Sequence, residues 1–505
     1  MEKELETQVL IIGGGIIGAA IARELSRYKV NTIVVEKEVD VGGRQSRGNG
    51  GNVYSCAGLR WASSVVVKSV ITKADEPLLH PDSIKEQCIL KGFARFDSLT
   101  KELGVSSFKI VRFMMVALND DDVKILKESE ELSKQIGSAP ERLSKEAILA
   151  IEPNISDKVV CGLADSKHQG HIYPWEYCMA LAENARANGI RIMTGAEVTA
   201  IRPLNGGFMV DTDRGPIRTE FIVNAGGIYA DRVAQMAGVC DFGLTLLKGQ
   251  TEILDKRLKG LVNSCIGFPP KPGLGGQIAE FPHGNINLGF LEYFPTKDRE
   301  DTSRRSDWTS LSFARARMLV PSVSEKDLIK SFTAIRVFNT RDPEDHIVEA
   351  TKKHPHFINA IIRLPGIAGS PAIAEYVVNI LGNQGLELVK KTDFNPYRKG
   401  IPKVSELPDE QRQKLIAQDA RYGHVVCRCE EVSEGEIVEA IRRGARTVAG
   451  VKYRTRAGMG RCQGGFCGPR VVEILARELD IPMTEVTEKG GLSRILLYRS
   501  KELLG

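Results

Sequence analysis

An α/β fold is predicted by three features of the sequence. A short apolar run leads into a glycine turn and an amphipathic helix within the first 25 residues, strand-like and helix-like segments alternate as far as about residue 385, and four cysteines crowd one short C-terminal stretch. Together they describe a Rossmann-type dinucleotide-binding domain interleaved with an α+β domain built on a mixed sheet, followed by a small helical module holding the four cysteines. The 505 residues exceed what one hydrophobic core usually supports, which leaves room for this division.

Gln8–Ile12 is a β-prone apolar run. Gly13-Gly14-Gly15-Ile16-Ile17-Gly18 follows, and then a helix-period stretch that sets Ile17, Ile21 and Leu25 on one face. Gly13 allows the tight turn, Gly15 lets backbone approach a pyrophosphate, and Gly18 allows close helix–strand packing, so the helix N-terminus faces the phosphates. A second strand, Thr32–Val35, ends at Glu36, 18 residues beyond Gly18, with Lys37 beside it. That distance suits a carboxylate accepting both adenosine ribose hydroxyls.

The residues that follow select the dinucleotide. Gly42-Gly43-Arg44-Gln45-Ser46 leads into the glycine- and asparagine-rich Asn49-Gly50-Gly51 stretch, where a nicotinamide domain would proceed to further βα units. This segment resembles the flavin-contacting loop of the D-amino-acid-oxidase-like flavoproteins. Further pieces of the likeness are Gly170-His171-Ile172-Tyr173-Pro174 before a helix Tyr177–Asn188, a strand near Ile190–Met193, and a strand Phe221–Ala225 closing on Gly226-Gly227. The last is Gly366-Ile367-Ala368-Gly369-Ser370-Pro371-Ala372, introducing a helix Ile373–Leu381. The resemblance covers about residues 7–385 and implies FAD, held by these glycine segments together with Val198 and Ala225. It also implies that the N-terminus of the last helix points at the flavin ring. The implied FAD-binding domain is discontinuous, over 1–60, 145–240 and 340–385, and 61–144 and 241–339 form the substrate domain.

On the substrate side, Arg336 is the candidate grip for a small anionic substrate, because a guanidinium offers a fixed fork of donors to carboxylate or phosphate. Hydride transfer to a flavin also needs a base near the carbinol proton. Many relatives carry a histidine in the flavin loop where this chain has Tyr54, and a proline where it has Val337, so His171 and His283 are the alternative candidates for that role, and Tyr54 is expected to bind substrate or to pack on the flavin.

Beyond Leu381 the character changes. Residues 386–420, with Pro396, Pro402 and Pro408 among many charges, read as a linker over the surface, and 421–490 as a separate module with a tail, 491–505. The module has Cys427-x-Cys429, then 32 intervening residues, then Cys462-x4-Cys467. Ser433 and Glu436 form a capping-box pattern, and Gly468-Pro469 opens another helix. Four such thiolates can hold zinc or an iron–sulfur cluster, but structural zinc favours C-x2–4-C knuckles.

The run Arg454 to Cys467 resembles the [2Fe-2S] modules of the bacterioferritin-associated-ferredoxin type. The combination of both parts resembles the catalytic subunits of the anaerobic glycerol-3-phosphate dehydrogenase family. That likeness implies oxidation of sn-glycerol 3-phosphate to dihydroxyacetone phosphate, with electrons leaving FAD through the cluster. It also implies a hetero-oligomer in which the acceptor is a second flavoprotein or a small iron–sulfur subunit. A 2-hydroxy acid, an amino acid or an opine would need the same arginine and flavin, and a non-catalytic electron-transfer subunit would keep both cofactors.

Other classes are disfavoured. With 69 Lys and Arg interleaved among 64 Asp and Glu, the net charge of +5 forms no basic stripe for nucleic acid. No apolar run approaches the roughly 20 residues of a membrane span, and the apolar start breaks at once into glycines, so a cytoplasmic protein without an integral membrane segment is expected.

Overall fold

The computed structural model describes residues 4–59, 83–269, 271, 275–289 and 294–503. The start of the expected substrate segment, residues 60–82, lies outside them.

The first sheet is built around β1 (Leu5–Ile12), flanked in parallel by β2 (Thr32–Glu36) on one side and by a longer strand on the other. Val9 to Ile12 and Thr32 to Val35 are all buried, as strands covered on both faces require. β3 (Asn52–Tyr54) lies outside this sheet and pairs with β4 (Gln169–His171), setting Asn52 opposite His171. β5 (Arg191–Thr194) extends the parallel array beyond β2. The expected strand at Phe221–Ala225 is the end of β6 (Gly215–Asn224), whose first half pairs antiparallel with 207–212 and whose last half pairs with both β1 and a later strand.

The substrate-side sheet is antiparallel at its centre. β7 (Leu244–Leu254) runs against β8 (Leu328–Asn339), placing Leu247 opposite Arg336. β9 (Phe357–Ile361) then returns to the first sheet beside the end of β6.

One face of the first sheet is covered by α1 (Ile16–Leu25), α2 (Ile84–Glu102), α3 (Pro174–Ala187) and α4 (Gly366–Asn383), which share one apolar core. α4 begins seven residues before the expected Ile373 and carries Pro371 inside it. The helix tolerates this because the Ile367 carbonyl, which the Pro371 nitrogen cannot serve, accepts the Ser370 hydroxyl at 2.8 Å. α2 crosses α4 closely: a Cβ on Gly92 would stand 2.2 Å from the Ala368 carbonyl oxygen.

The expected linker is strapped to the body rather than free. Asn188 donates to the Asn395 carbonyl at 2.9 Å and accepts from its N–H at 2.8 Å, and Arg398 pairs with Glu183 at 2.7 Å. The linker also contains a helix, α5 (Asp409–Gln418), started by Pro408 and an acidic first turn. The module follows as α6 (Glu434–Arg442), α7 (Val448–Thr455) and α8 (Cys467–Leu479) around its own core, and the capping box of Ser433 and Glu436 is formed.

Candidate functional site

The dinucleotide turn closes as its glycines demand. Gly13 has φ +110°, and a Cβ there would stand 2.4 Å from the Ala225 carbonyl oxygen, so the turn lies against the end of β6. Gly18 presses α1 onto the same turn, its missing Cβ only 1.9 Å from the Gly13 oxygen. Ser46, on the loop after β2, accepts the Ile16 N–H at 3.0 Å and so reaches the first turn of α1.

Glu36 ends β2 and takes the Gly14 N–H at 2.7 Å and the Glu38 N–H at 2.9 Å. Burial raises its carboxyl above the ordinary range, an effect the two N–H donors partly offset. Lys37 lies 4.0 Å from the centre of the Tyr229 ring, and both Lys37 and Arg44 pair with Glu300 from the substrate side. Gly43 packs on Glu38, and Val198 begins the strand just beyond Ala196, whose N–H bonds the Glu36 carbonyl at 2.9 Å.

An open groove runs from this turn to the substrate-side sheet. Gly15, Ile16, Ile17, Ser46, Asn49, Ala225, Arg336, Gly366 and Ile367 all line it, which gathers residues from distant parts of the sequence. Asn49 shapes its loop by accepting the Gly51 N–H at 2.9 Å across Gly50, and Gly51, at φ +71°, lies against the Ile172 carbonyl. Gly226 sits just past β6, where its N–H meets the Asn224 side chain. Ala368 and Gly369 pack against Gly92 of α2 and are not among the described residues lining the groove.

The groove also holds a cation the sequence reading passed over. Arg363 lines it with Arg336, just beyond the end of β9, and its guanidinium bonds Glu344 at 2.7 Å. A signal was present: a single arginine between a buried strand and the Pro365-Gly366 turn stands at the carboxyl end of a parallel strand, where open α/β sheets bind ligands.

Neither candidate base lines the groove, nor does Tyr54. Tyr54 and His171 belong to the small sheet of β3 and β4, and His171 is buried, with Nδ1 3.2 Å from the Glu280 carbonyl oxygen. His283 stacks on Tyr173 at 5.0 Å and pairs with Glu406 at 3.2 Å, and burial lowers its pKa. Among the described residues lining the groove there is no imidazole and no carboxylate.

In the module, the four cysteines stand as two pairs of sulfurs. Cys429 and Cys462 are 3.6 Å apart, and Cys427 and Cys467 are hydrogen-bonded. Among the described residues no three His, Cys, Asp or Glu side chains already surround one point. Four cysteine ligands in two pairs suit a cluster of two irons better than a single ion. The Cys467 thiol, with the Gly458 and Glu430 N–H groups, holds Cys427 below the usual thiol range, and the Phe466, Gly464 and Gly465 N–H groups do the same for Cys462, whereas Cys467, bonded to Cys427, and Cys429, beside Cys462, are pushed up, so that each pair offers one ready thiolate. Such donors favour thiolate, the form that binds iron. Cys427, Cys429, Cys462 and Cys467 thus fit the [2Fe-2S] cluster, and the groove with its glycine turn fits FAD.

Comparison with known proteins agrees with both halves. Residues 8–380 match the family model described as FAD dependent oxidoreductase, and residues 425–477 match the BFD-like [2Fe-2S] binding domain. A glycerol 3-phosphate dehydrogenase of Caloramator mitchellensis is 39% identical over 505 residues, covering 98% of each chain. One subunit of the anaerobic glycerol-3-phosphate dehydrogenase of Escherichia coli K12 is 23% identical, over 93% of this chain and 88% of its own. Among solved structures, the FAD-bound L-alpha-glycerophosphate oxidase of Mycoplasma pneumoniae superposes with a TM-score of 0.68 at 26% identity, over 78% of this chain and 98% of its own. No helix among the described residues is long and apolar enough to cross a membrane. The chain belongs to the FAD-dependent oxidoreductases of the D-amino-acid-oxidase-like family and carries a BFD-like [2Fe-2S] binding domain at its C-terminal end.

Proposed function

We propose that this protein is a glycerol-3-phosphate dehydrogenase, oxidising the C2 hydroxyl of sn-glycerol 3-phosphate to the ketone of dihydroxyacetone phosphate. The observation that carries this reading is the groove, where Arg336 and Arg363 share one opening with the dinucleotide turn and the N-terminus of α4. The full-length likeness to a dehydrogenase of that name supports the choice of substrate.

When bound, FAD would supply a two-electron acceptor for the carbinol hydride, the hydroxyl proton leaving to solvent in the open groove, and the cluster would supply a one-electron outlet. The chain's own residues bind and orient. Arg336, held on β8 by its pairing with β7, presents a guanidinium suited to two phosphate oxygens at once. Arg363, its charge partly met by Glu344, adds a second guanidinium beside it, which favours an anionic substrate. The N-terminus of α4 at Gly366 and Ile367 directs its partial positive charge into the groove, where it stabilises negative charge gained during the reaction.

In the same reading the protein works in the cytoplasm within a hetero-oligomer, handing electrons to a second flavoprotein or a small iron–sulfur subunit. That the E. coli relative is one subunit of a larger enzyme supports the assembly, and ten free cysteines suit a reducing compartment.

The test is an anaerobic visible spectrum of the purified chain, before and after addition of sn-glycerol 3-phosphate, 2-hydroxy acids and amino acids in turn. Bleaching of the flavin band by glycerol 3-phosphate alone is the expected result. Bleaching by dithionite but by none of the substrates would replace this reading with that of an electron-transfer subunit.

A further inference from the structure

The end of α7 meets the FAD-binding body through Tyr453, Arg454 and the capping residue Arg456, and the cysteine loop follows directly from it. Arg454 is almost wholly buried and reaches both oxygens of Asp40, with Nη2 to Oδ1 at 2.8 Å. Asp40 lies in the loop between β2 and Gly42, so the pair joins the module to the dinucleotide segment itself. Gly450 permits the approach: a Cβ there would stand 3.3 Å from Asp40 Oδ2.

Tyr453, one residue earlier, packs its ring under the Arg47 guanidinium at 4.2 Å and edge-on to Trp175 at 5.5 Å. Arg47 immediately precedes Gly48, which lines the groove. Trp175 stacks on Tyr173 at 4.8 Å, and Arg456 lies 5.0 Å from the Tyr173 ring centre. Arg456 also donates to Glu430, the neighbour of Cys429, at 2.9 Å and to Asn285 of the body at 3.1 Å. Arg461, next to Cys462, pairs with Asp255 of the body at 2.9 Å.

We infer that the module is a fixed electron relay, in which Arg454 and Tyr453 act as positioning residues that hold the cysteine loop at one set separation from the flavin groove. A module that swings between donor and acceptor needs a seam that parts easily. This seam contains a buried ion pair whose separation strands a charge on each side, and a continuous run of ring contacts. The pinned linker, held at Asn188 and Glu183, removes the slack such a motion would use.

The inference rests on the reading that electrons pass from flavin to cluster, each two-electron reduction of the flavin being relayed as two single electrons to an external one-electron acceptor. It does not depend on which substrate reduces the flavin.

The experiment uses the full chain with both cofactors, anaerobic, with the flavin reduced by light and EDTA so that the substrate assignment is bypassed. Cluster bleaching is followed after the flash in buffer and in sucrose of rising viscosity. The double variant Asp40→Asn with Arg454→Met removes both charges without stranding either, which keeps the variant folded, and Tyr453→Leu tests the ring contact separately. Limited proteolysis of the 386–424 stretch reports docking without reference to activity.

For a fixed relay, wild-type cluster bleaching is independent of viscosity. The double variant slows it tenfold or more, leaves the flavin's own photoreduction unchanged, and is cut faster in the linker. Bleaching that slows in proportion to viscosity in the wild type, or an unchanged transfer rate in both variants, overturns the inference. If glycerol 3-phosphate fails to bleach the flavin while the photochemical result holds, the substrate reading alone falls.

Discussion

Gly18 stands so close to Gly13 that a Cβ on the first would lie 1.9 Å from the carbonyl oxygen of the second. Helix α1 can therefore approach its strand only if residue 18 has no side chain. Gly18→Ala forces α1 away from the turn, at about 1–3 kcal/mol for such overpacking. The expected outcome is protein purified with FAD occupancy reduced roughly tenfold, because about 1.4 kcal/mol is a factor of ten in binding. Full flavin content, read from the visible-to-ultraviolet absorbance ratio, would contradict this account of the turn.

Arg336 lies on a strand paired along most of its length, so replacing its side chain disturbs binding more than fold. Arg336→Met should lower kcat/KM for glycerol 3-phosphate about ten- to hundredfold, in line with the roughly 1.5–3 kcal/mol of a hydrogen bond to a charged group. Dithionite bleaching of the flavin should be unaffected. Unaltered steady-state kinetics would remove Arg336 from the substrate site.

Gly92 sets the crossing of α2 over α4, with its absent Cβ 2.2 Å from the Ala368 oxygen and 3.1 Å from the Gly369 Cα. Valine at position 92 must separate the helices, and α4 carries Gly366 and Ile367 to the groove. Gly92→Val is expected to destabilise the FAD-binding part by about 1–3 kcal/mol and to weaken substrate binding together with it. Thermal unfolding followed by flavin fluorescence measures the first effect and the KM the second; a change in neither would show that the crossing is not constrained.

Glu436 closes the capping box on α6, taking the Ser433 N–H at 2.9 Å and its hydroxyl at 2.7 Å. Burial pushes its pKa up to about 7, with the Ser433 bonds only partly opposing this. A carboxyl whose folded pKa is raised binds its proton more tightly in the folded state. Its contribution is therefore complete below the ordinary carboxylate range, declines as pH rises from there through about 7, and stays constant above. The wild type should accordingly lose more module stability between pH 5 and pH 8 than Glu436→Gln, which does not titrate. Melting curves at several pH values, monitored by cluster absorption, would refute this if the two proteins changed in parallel.

Much of this architecture was legible in the residues. The apolar run, the glycine spacing and Glu36 located the dinucleotide turn because each is a local backbone requirement, and Ser433 with Glu436 located a helix start for the same reason. The cysteine spacing marked the cluster module, since ligands on short loops must be close in sequence. Less could be read where contacts are made across the fold. The place of Arg363 in the groove depends on β9 returning beside β6, and the packing of Ala368 and Gly369 against Gly92 depends on the crossing of α2 over α4.

The sequence by itself determined the glycine turn after β1 and the four-cysteine module, because glycine φ angles, strand-ending carboxylates and clustered thiols are set within a few residues of chain. Only the tertiary structure decided which cations share the groove, and that His171 and His283 lie outside it. The docking of the module was decided there too: Arg454 and Asp40 are 414 residues apart, and no local preference can bring together charges whose meeting depends on how three layers of helix and sheet pack.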